Sequence, residues 1–317
     1  MRIVRDWRGL AEADRGACIA IGNFDGVHRG HAHVVAAAAE AARASGAPLA
    51  AAVFDPHPRL WFQPDAQAFR LTTDAQRSRA LGCLGVEILY ALPFDAEMAG
   101  MTDREFAERV LADGLGARHM AAGFDFSFGK GRTGDGHLLR AYGERFGFGV
   151  SVVDAVTDED GRKLSSTAVR LALEAGRPEE AAAVLGRPFA IEGEVVQGRQ
   201  LGRTLGFPTA NVPLAEYVRP RFGVYATLTR LPDGRLLNGV SSIGENPTVG
   251  GNDARLEAWL FDFGGDLYGQ LIETELVAFL RPEERFPDLA TMTAQVHRDA
   301  EIARKLFAGP PARTTRT

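Results

Sequence analysis

The sequence predicts an α/β protein built from two unlike parts: a parallel sheet covered by helices, then a small antiparallel barrel or sandwich closed by a helix. Three observations predict it. Up to about residue 185, short apolar runs alternate with helical stretches, the signature of βα units. From Phe189 onward, apolar residues recur at every second position in short runs, separated by turn signals such as Asp233-Gly234 and Gly264-Gly265. Between the two patterns stands Gly186-Arg187-Pro188, a natural boundary.

The elements follow in order. The run 17–21 is a buried strand that ends at Gly22. A helix is expected over about 30–45, closed by Gly46 and Pro48. Residues 49–54 form a second strand, cut by Asp55-Pro56-His57-Pro58. Helices at 74–83, 103–111 and 136–146 alternate with strands at 86–90, 118–122 and 149–153. Ser165-Ser166-Thr167 opens a helix to Glu174, ended by Gly176 and Pro178, and another helix covers 179–185. In the second part, strands are expected at 191–196, 223–228, 256–263 and 271–280, with an amphipathic helix over 289–307. The domains are then 1–186 and 187–308, with 309–317 (GPPARTTRT after Ala308) a disordered tail.

Composition bounds the function. The chain has 317 residues, enough for two domains of ordinary size. It is 45% hydrophobic and 24% charged, with a formal net charge of -5, which disfavours a nucleic-acid-coating role. No apolar run approaches the ~20 residues of a membrane helix, and the start MRIVRDWRGL has no signal-peptide core. The two cysteines, Cys18 and Cys83, form neither a disulfide framework nor a CxxC site, which suits reduced core or near-core residues in the cytoplasm. Oligomeric state is left open.

The most informative stretch is Gly22-Asn23-Phe24-Asp25-Gly26-Val27-His28-Arg29-Gly30-His31, at a strand-to-helix turn. Its glycines let the backbone approach a ligand, and the helix that follows offers N–H groups and a positive dipole end to an anion. His28 and His31 stand where each can donate to phosphate oxygens. The alternatives are a plain tight turn, or a metal site drawn from His28, His31, His33 and His57. The metal reading lacks a carboxylate partner and HExxH order.

In Ser165-Ser166-Thr167-Ala168-Val169-Arg170, a serine caps the helix and Arg170 stands in its first turn. A cation there opposes the macrodipole, which makes sense if phosphates occupy the helix end. Gly123-Phe124-Asp125-Phe126-Ser127-Phe128-Gly129 interleaves three phenylalanines with polar residues: an aromatic wall for a ring ligand with Asp125 as anchor, or simply core. Gly129, Gly131 and Gly134 match GxGxxG formally, but the match does not open a helix from a strand, and it is discounted.

The second part carries its own constellation. Thr209 and Asn211 are two apart in an extended segment, so both point one way and offer hard oxygen ligands suited to Mg²⁺. Gly198, Gly202 and Gly206, with Arg199 and Arg203, form a flexible basic loop suited to phosphates. Glu257 shares a strand face with Trp259 and Phe261, and a carboxylate on an apolar face needs a task or a partner. It is a candidate general base for a hydroxyl, or an exposed strand glutamate.

These residues also resemble a known family. GNFDGVHRGH, VFDPHP (53–58), GFDFSFG (123–129) and LSSTAVR (164–170) are similar to the adenylyltransferase half of bacterial bifunctional riboflavin kinase/FAD synthetases. LGRTLGFPTAN, FGVY, IGENPT, the Glu257 strand, DLYG (266–269) and RPEERF (281–286) are similar to the kinase half. The resemblance implies a Rossmann-like nucleotidyltransferase domain followed by a small flavokinase β-barrel. It implies phosphorylation of riboflavin by MgATP to FMN, then AMP transfer from ATP to FMN, giving FAD and pyrophosphate.

By that resemblance His28, His31 and Glu257 are catalytic. Gly22, Phe24, Asp25, Gly30, Ser166, Thr167, Arg170, Gly198, Arg203 and Thr209 face ATP. Pro56, Pro58, Asp125, Phe126, Phe128 and Arg281 face flavin. Thr209 and Asn211 hold Mg²⁺. Asp125 stands where some relatives carry Asn, and the loop before FPTAN is shorter than in some. Three other readings stay open at this stage: a single-activity adenylyltransferase whose barrel only binds flavin, a flavin sensor without turnover, and a metal-dependent hydrolase.

Overall fold

The computed structural model describes residues 1–198, 202, 205–248 and 251–309, without the side chains of 246–248 and 251–253. The chain divides into two compact units, one made of Met1–Ala66 and Asp74–Leu164, the other of Gln67–Thr73 and Ser165–Thr317. Arg199 and Arg203 of the basic loop, and 310–317 of the expected tail, lie outside the described residues.

The first unit holds a six-stranded sheet in the order β1-β4-β3-β2-β5-β6, with every neighbouring pair parallel. Its strands are β1 (Arg2–Val4), β2 (Cys18–Ile21), β3 (Leu49–Asp55), β4 (Ile88–Pro93), β5 (His119–Gly123) and β6 (Gly149–Val153). The central strands are apolar throughout because both faces are covered. Alternation along β2 shows it: Cys18 and Ala20 enter one core with Val34, Val35 and Ala38 of α1 (Arg29–Ser45). Ile19 and Ile21 enter the opposite core with Phe106, Val110 and Leu111. Gly46 ends α1 at φ 66, the left-handed conformation that glycine adopts without a steric penalty.

Further elements are α2 (Pro58–Phe62), α3 (Asp74–Cys83), α4 (Ala96–Gly100), α5 (Asp103–Glu105) and α6 (Gly136–Phe146). The helix expected over 103–111 runs on from α5 as a π-helix, Phe106–Gly114. The strands β1 and β4 and the short helices α2 and α4 differ from the sequence reading. β1 and α2 were not anticipated, and β4 starts two residues later than its apolar run.

In the second unit, an antiparallel sheet runs in the order β7-β12-β9-β10-β11-β8. Its strands are β7 (Phe189–Glu194), β8 (Thr209–Pro213), β9 (Gly223–Arg230), β10 (Leu236–Thr248), β11 (Gly251–Leu260) and β12 (Leu271–Pro282). Two register shifts in β12, between Leu276 and Ala278 and between Phe279 and Arg281, bend it. The sheet curls until an antiparallel bridge, Val196–Asn211, ties the chain after β7 to β8. The interior is packed by Ile191, Val212, Tyr225, Ile243, Leu256 and Leu276.

That interior also takes Val169 and Leu173 of α7 (Ser166–Glu174) and Leu185 of α8 (Pro178–Leu185). Residues 165–186, read from the sequence as part of the first domain, therefore pack with the second unit. So does 67–73, whose Leu71 is 1% exposed in the same core. The last helix, α9 (Leu289–Ala308), lays Ala300 and Ala303 against Val224, Ala226 and Val240 on the outer face of the sheet.

Candidate active sites

The loop from Gly22 to His28 turns the chain from β2 into α1 through three left-handed residues: Phe24 at φ 50, Gly26 at φ 86 and Val27 at φ 42. Positive φ is uncommon for a phenylalanine and unusual for a β-branched valine. Both are anchored: Phe24 is 1% and Val27 5% exposed. The backbone N–H of Val27 donates to the Phe24 carbonyl at 3.2 Å, closing the turn. Asp25 is also buried. Phe24, expected to face ATP, instead has its ring in the core and tilted against His31 at 5.1 Å between centroids.

His28 is the N-cap of α1, and the two histidines form a reciprocal capping box. The His31 backbone N–H donates to His28 Nδ1 at 3.2 Å, and the His28 backbone N–H donates to His31 Nδ1 at 3.4 Å. Their rings stack 3.6 Å apart. Because each Nδ1 accepts, the proton of each neutral imidazole is assigned to Nε2. Each ring thus carries its N–H on Nε2 at the positive end of a 17-residue helix, with His28 7% exposed. A Cβ at Gly30 would stand 3.0 Å from the His28 ring and 3.0 Å from the Leu164 carbonyl, so a larger residue would press on this cap.

Three further motifs of the sequence reading take definite places. In VFDPHP, the Asp55-Pro56 bond is cis, His57 caps α2 by accepting from the Arg59 N–H, and Pro58 is the first helical residue. Pro56 is exposed and Pro58 half-buried. In GFDFSFG, Phe128 is 5% exposed and packs on Phe106, so it belongs to the core rather than to an open wall. Phe126 is half-buried and stacks on Phe128, while Phe124 is exposed. Asp125 pairs with Lys163 Nζ at 2.6 Å, and the same ammonium lies 4.5 Å from the centre of the Phe124 ring. Gly129–Gly134 forms a short 3-10 turn and a Phe128–Gly134 bridge, not a strand-to-helix phosphate loop.

Sequence reading missed Trp61 and Phe62 on α2. They are 42% and 65% exposed, and both contact Phe94 edge-on. The available signal was an aromatic pair immediately after a Pro-rich turn, in a helix too short to show a period.

Ser165 is the N-cap of α7, its hydroxyl accepting from the Ala168 N–H at 3.2 Å. Ser166 and Thr167 are therefore the first two helical residues, and Arg170 opens the second turn rather than standing in the first. Arg170 Nε donates to the Phe69 carbonyl at 2.7 Å, and its guanidinium carbon lies 5.4 Å from the centre of the Phe69 ring.

In the second unit, strand register assembles the remaining set. Glu257 stands directly across from Asn211 on β8 and from Ser242 on β10. Opposed residues in an antiparallel pair share a face, so the carboxylate has polar neighbours on both sides. The apolar surroundings expected for it begin one step along, where Trp259 stands across from Val240 and Thr209. Phe261 lies beyond the end of β11.

Asn211 is 5% exposed, and its amide nitrogen bonds the Thr209 carbonyl at 3.4 Å. A cavity of about 310 Å³ is lined by Gly198, Thr209 and Asn211 and by the turn Phe263–Tyr268, which includes Asp266. This turn includes Asp266, Leu267 and Tyr268 of DLYG, and its approach to the Thr209–Asn211 edge is a long-range feature that local spacing does not carry.

Arg281, expected to face flavin, is held by Asp299 of α9 through both Nε and Nη2, at 2.8–3.1 Å. Asp299 is 2% exposed and takes a further bond from Gln295. Among the described residues no cluster of three or more His, Cys, Asp or Glu is arranged to hold a metal ion. Cys18 is buried and Cys83, expected near the core, is exposed; both are free thiols. Among the described residues no helix is long and apolar enough to cross a membrane.

Two family models match successive parts of the chain. The FAD synthetase family model matches residues 10–168 and the riboflavin kinase family model residues 185–307. The chain is 40% identical over 308 residues to the bifunctional riboflavin kinase/FMN adenylyltransferase of Escherichia coli K12, covering 97% of this chain and 98% of that one. It is 35% identical to the protein of the same name from Bacillus subtilis, covering 94% and 95%. A solved structure described as a macrolide-efflux protein from Streptococcus pneumoniae superimposes with a TM-score of 0.84 at 31% identity, covering 95% of this chain and 98% of that one.

Proposed function

Since the chain belongs to the bifunctional riboflavin kinase/FMN adenylyltransferase family and is an enzyme with both activities, we propose that it performs them at two chemically independent sites. Riboflavin is phosphorylated by ATP to FMN, and AMP is then transferred from ATP to FMN, giving FAD and pyrophosphate. The observation that supports the two-site reading is the placement of the two candidate catalytic sets: His28 and His31 belong to the first compact unit, Thr209, Asn211 and Glu257 to the second, while Ser166, Thr167 and Arg170, also in the second, are assigned to adenylyl transfer by motif alone. Functionally we keep the boundary at 186, with 1–186 serving adenylyl transfer and 187–308 the kinase.

For adenylyl transfer no covalent nucleophile is required, because the FMN phosphate attacks the α-phosphorus of ATP directly. The protein's task is positioning and stabilisation of charge. We assign that charge stabilisation to the Nε2–H groups of His28 and His31 and to the N–H groups opening α1. Ser166, Thr167 and Arg170 are assigned, from their motif, to the β- and γ-phosphates. Trp61 and Phe62 add exposed aromatic rings of the kind a flavin can stack on, whereas the burial of Phe128 makes it a support for Phe126. Asp125, paired with Lys163, is the polar anchor of that loop.

For the kinase, Glu257 is the base that takes the proton of the ribityl 5′-hydroxyl as it attacks the γ-phosphorus of ATP and ADP leaves. Thr209 and Asn211 suit Mg²⁺. They are adjacent oxygen donors on one face, at the wall of a cavity that Asp266 also lines, and the Asn211 amide nitrogen is engaged by the Thr209 carbonyl, which presents Oδ1. The bound ion would neutralise phosphate charge there. A cytoplasmic setting belongs to the same proposal and is supported by the two free thiols.

The test is incubation with riboflavin and MgATP, with FMN and FAD resolved by chromatography over time. FMN appearing first and FAD after it is expected. In a parallel incubation with FMN and MgATP, FAD formed there while no FMN forms from riboflavin would leave a single-activity adenylyltransferase.

A further inference from the structure

Residues 67–73, between α2 and α3 in chain order, belong to the second unit rather than the first. Nothing in the adenylyltransferase or kinase motifs explains this excursion. The segment is tied down at successive positions. The Arg70 N–H donates to the Glu216 carbonyl at 2.9 Å, and the Val218 N–H donates to the Arg70 carbonyl at 2.9 Å, so Arg70 is bridged to Tyr217 like one residue of a parallel strand. The Arg70 guanidinium pairs with the Glu216 carboxylate at 3.2 Å. Leu71 is in the barrel core, and the Thr73 hydroxyl donates to the buried Glu192 at 3.0 Å.

What this hydrogen-bonded segment presents is Phe69, itself 4% exposed. Its carbonyl accepts from Arg170 Nε at 2.7 Å, and its ring lies 5.4 Å from the guanidinium carbon. The hydrogen bond fixes the guanidinium at one atom, and the ring contact fixes it against an aromatic face, within the ~6 Å over which a cation is attracted to a π-system. A half-buried arginine side chain still has several rotamers, and holding it in one before substrate arrives lowers the ordering cost of binding.

We infer that Phe69 is a positioning residue for Arg170, and that the 67–73 excursion exists to present it. The inference rests on the role proposed above for Arg170 in binding ATP phosphates during adenylyl transfer.

The experiment compares the full-length protein with Phe69→Leu, Phe69→Tyr, Arg170→Ala and the Phe69→Leu/Arg170→Ala double variant. Each is assayed separately for riboflavin phosphorylation and for FAD formation from FMN. Riboflavin phosphorylation reports whether the second unit, which contains Phe69, is intact. Phe69→Leu keeps an apolar side chain and removes the aromatic face. It is expected to raise KM for ATP in adenylyl transfer about three- to thirtyfold, the span of a cation–π contact, with kcat changed much less and riboflavin phosphorylation unchanged. Phe69→Tyr restores the face and should restore KM. In the Arg170→Ala background, Phe69→Leu should add nothing, because the two act as one unit.

An unchanged KM in Phe69→Leu while Arg170→Ala is impaired would overturn the inference and leave the Arg170 role standing. Parallel loss of both activities in Phe69→Leu would make Phe69 a general core residue and overturn it too. Normal adenylyl transfer by Arg170→Ala would remove the role of Arg170 itself.

Discussion

His28 and His31 cap the same helix for each other: the Nδ1 of each ring accepts the backbone N–H of the other residue, and the rings stack 3.6 Å apart. The pairing has the form of the Ser/Thr–Glu/Gln capping box, with imidazoles in both side-chain positions. It sets ring orientation and assigns the N–H of each neutral ring to Nε2, so a single hydrogen-bond pattern bears on both stability at the helix start and the placement of the two N–H donors.

His31→Ala should therefore show two separable effects. Loss of the cap contact costs about 0.5–2 kcal/mol of stability. Loss of a donor aimed at charge that grows in the transition state costs about 10²–10³ in kcat. His31→Gln can still accept at the cap, and should recover the stability but not the rate. Urea unfolding beside steady-state kinetics with FMN and MgATP checks both. A normal kcat with only a raised KM would show that His31 merely binds substrate.

A fragment of residues 165–317 should be markedly more stable than one of 187–317. The shorter one removes α7 and α8 and strips Val169, Leu173 and Leu185 from the barrel core. Each fully buried side chain of this size contributes about 1.5–3 kcal/mol. Comparing urea midpoints of the two fragments tests it, and equal midpoints would mean that α7 and α8 add nothing to the barrel.

Arg281 and Asp299 should matter for stability first. Removing one partner of a buried pair costs about 3–5 kcal/mol because the other charge is left uncompensated, and Asp299 is 2% exposed. Arg281→Leu is expected to lower the midpoint of thermal unfolding strongly. Riboflavin affinity measured well below that midpoint should change little. The reverse pattern, normal stability with lost affinity, would restore Arg281 to the flavin site.

His119 predicts a pH effect. Burial pushes its imidazole below the ordinary value of 6.5, with Nε2 within 2.9 Å of the Ser151 hydroxyl. In the unfolded chain it protonates more readily than in the fold. Its contribution is therefore fully present above about pH 6.5 and is lost as pH falls through the depressed folded value. His119→Gln should lessen the fall in urea midpoint between pH 7.5 and pH 5.5; an unaltered fall would assign acid sensitivity elsewhere.

The parallel sheet was legible in the sequence because strands buried on both faces read as unbroken apolar runs, and α3, α6 and β6 fall on the expected residues. β10 was not legible. Its LLNGVSSIGENPT contains glycine, asparagine and proline, which local propensity disfavours in strands, and only pairing with β9 and β11 on its two sides makes it one. At the sites, the histidine loop and the Thr209–Asn211 pair were readable because their spacing is local. The arrangement of Glu257 across from Asn211, and the hold of Phe69 on Arg170, were not, because they join residues 46 and 101 positions apart through register and packing.

The central claim is that the two reactions use separate chemistry, and Glu257→Gln tests it most directly. The variant is given riboflavin with MgATP in one assay and FMN with MgATP in another. The account predicts that FMN formation falls by about 10²–10⁴, the loss of a general base, while FAD forms from FMN at the unaltered rate. Near-normal riboflavin phosphorylation, or a matching fall in both reactions, would contradict it.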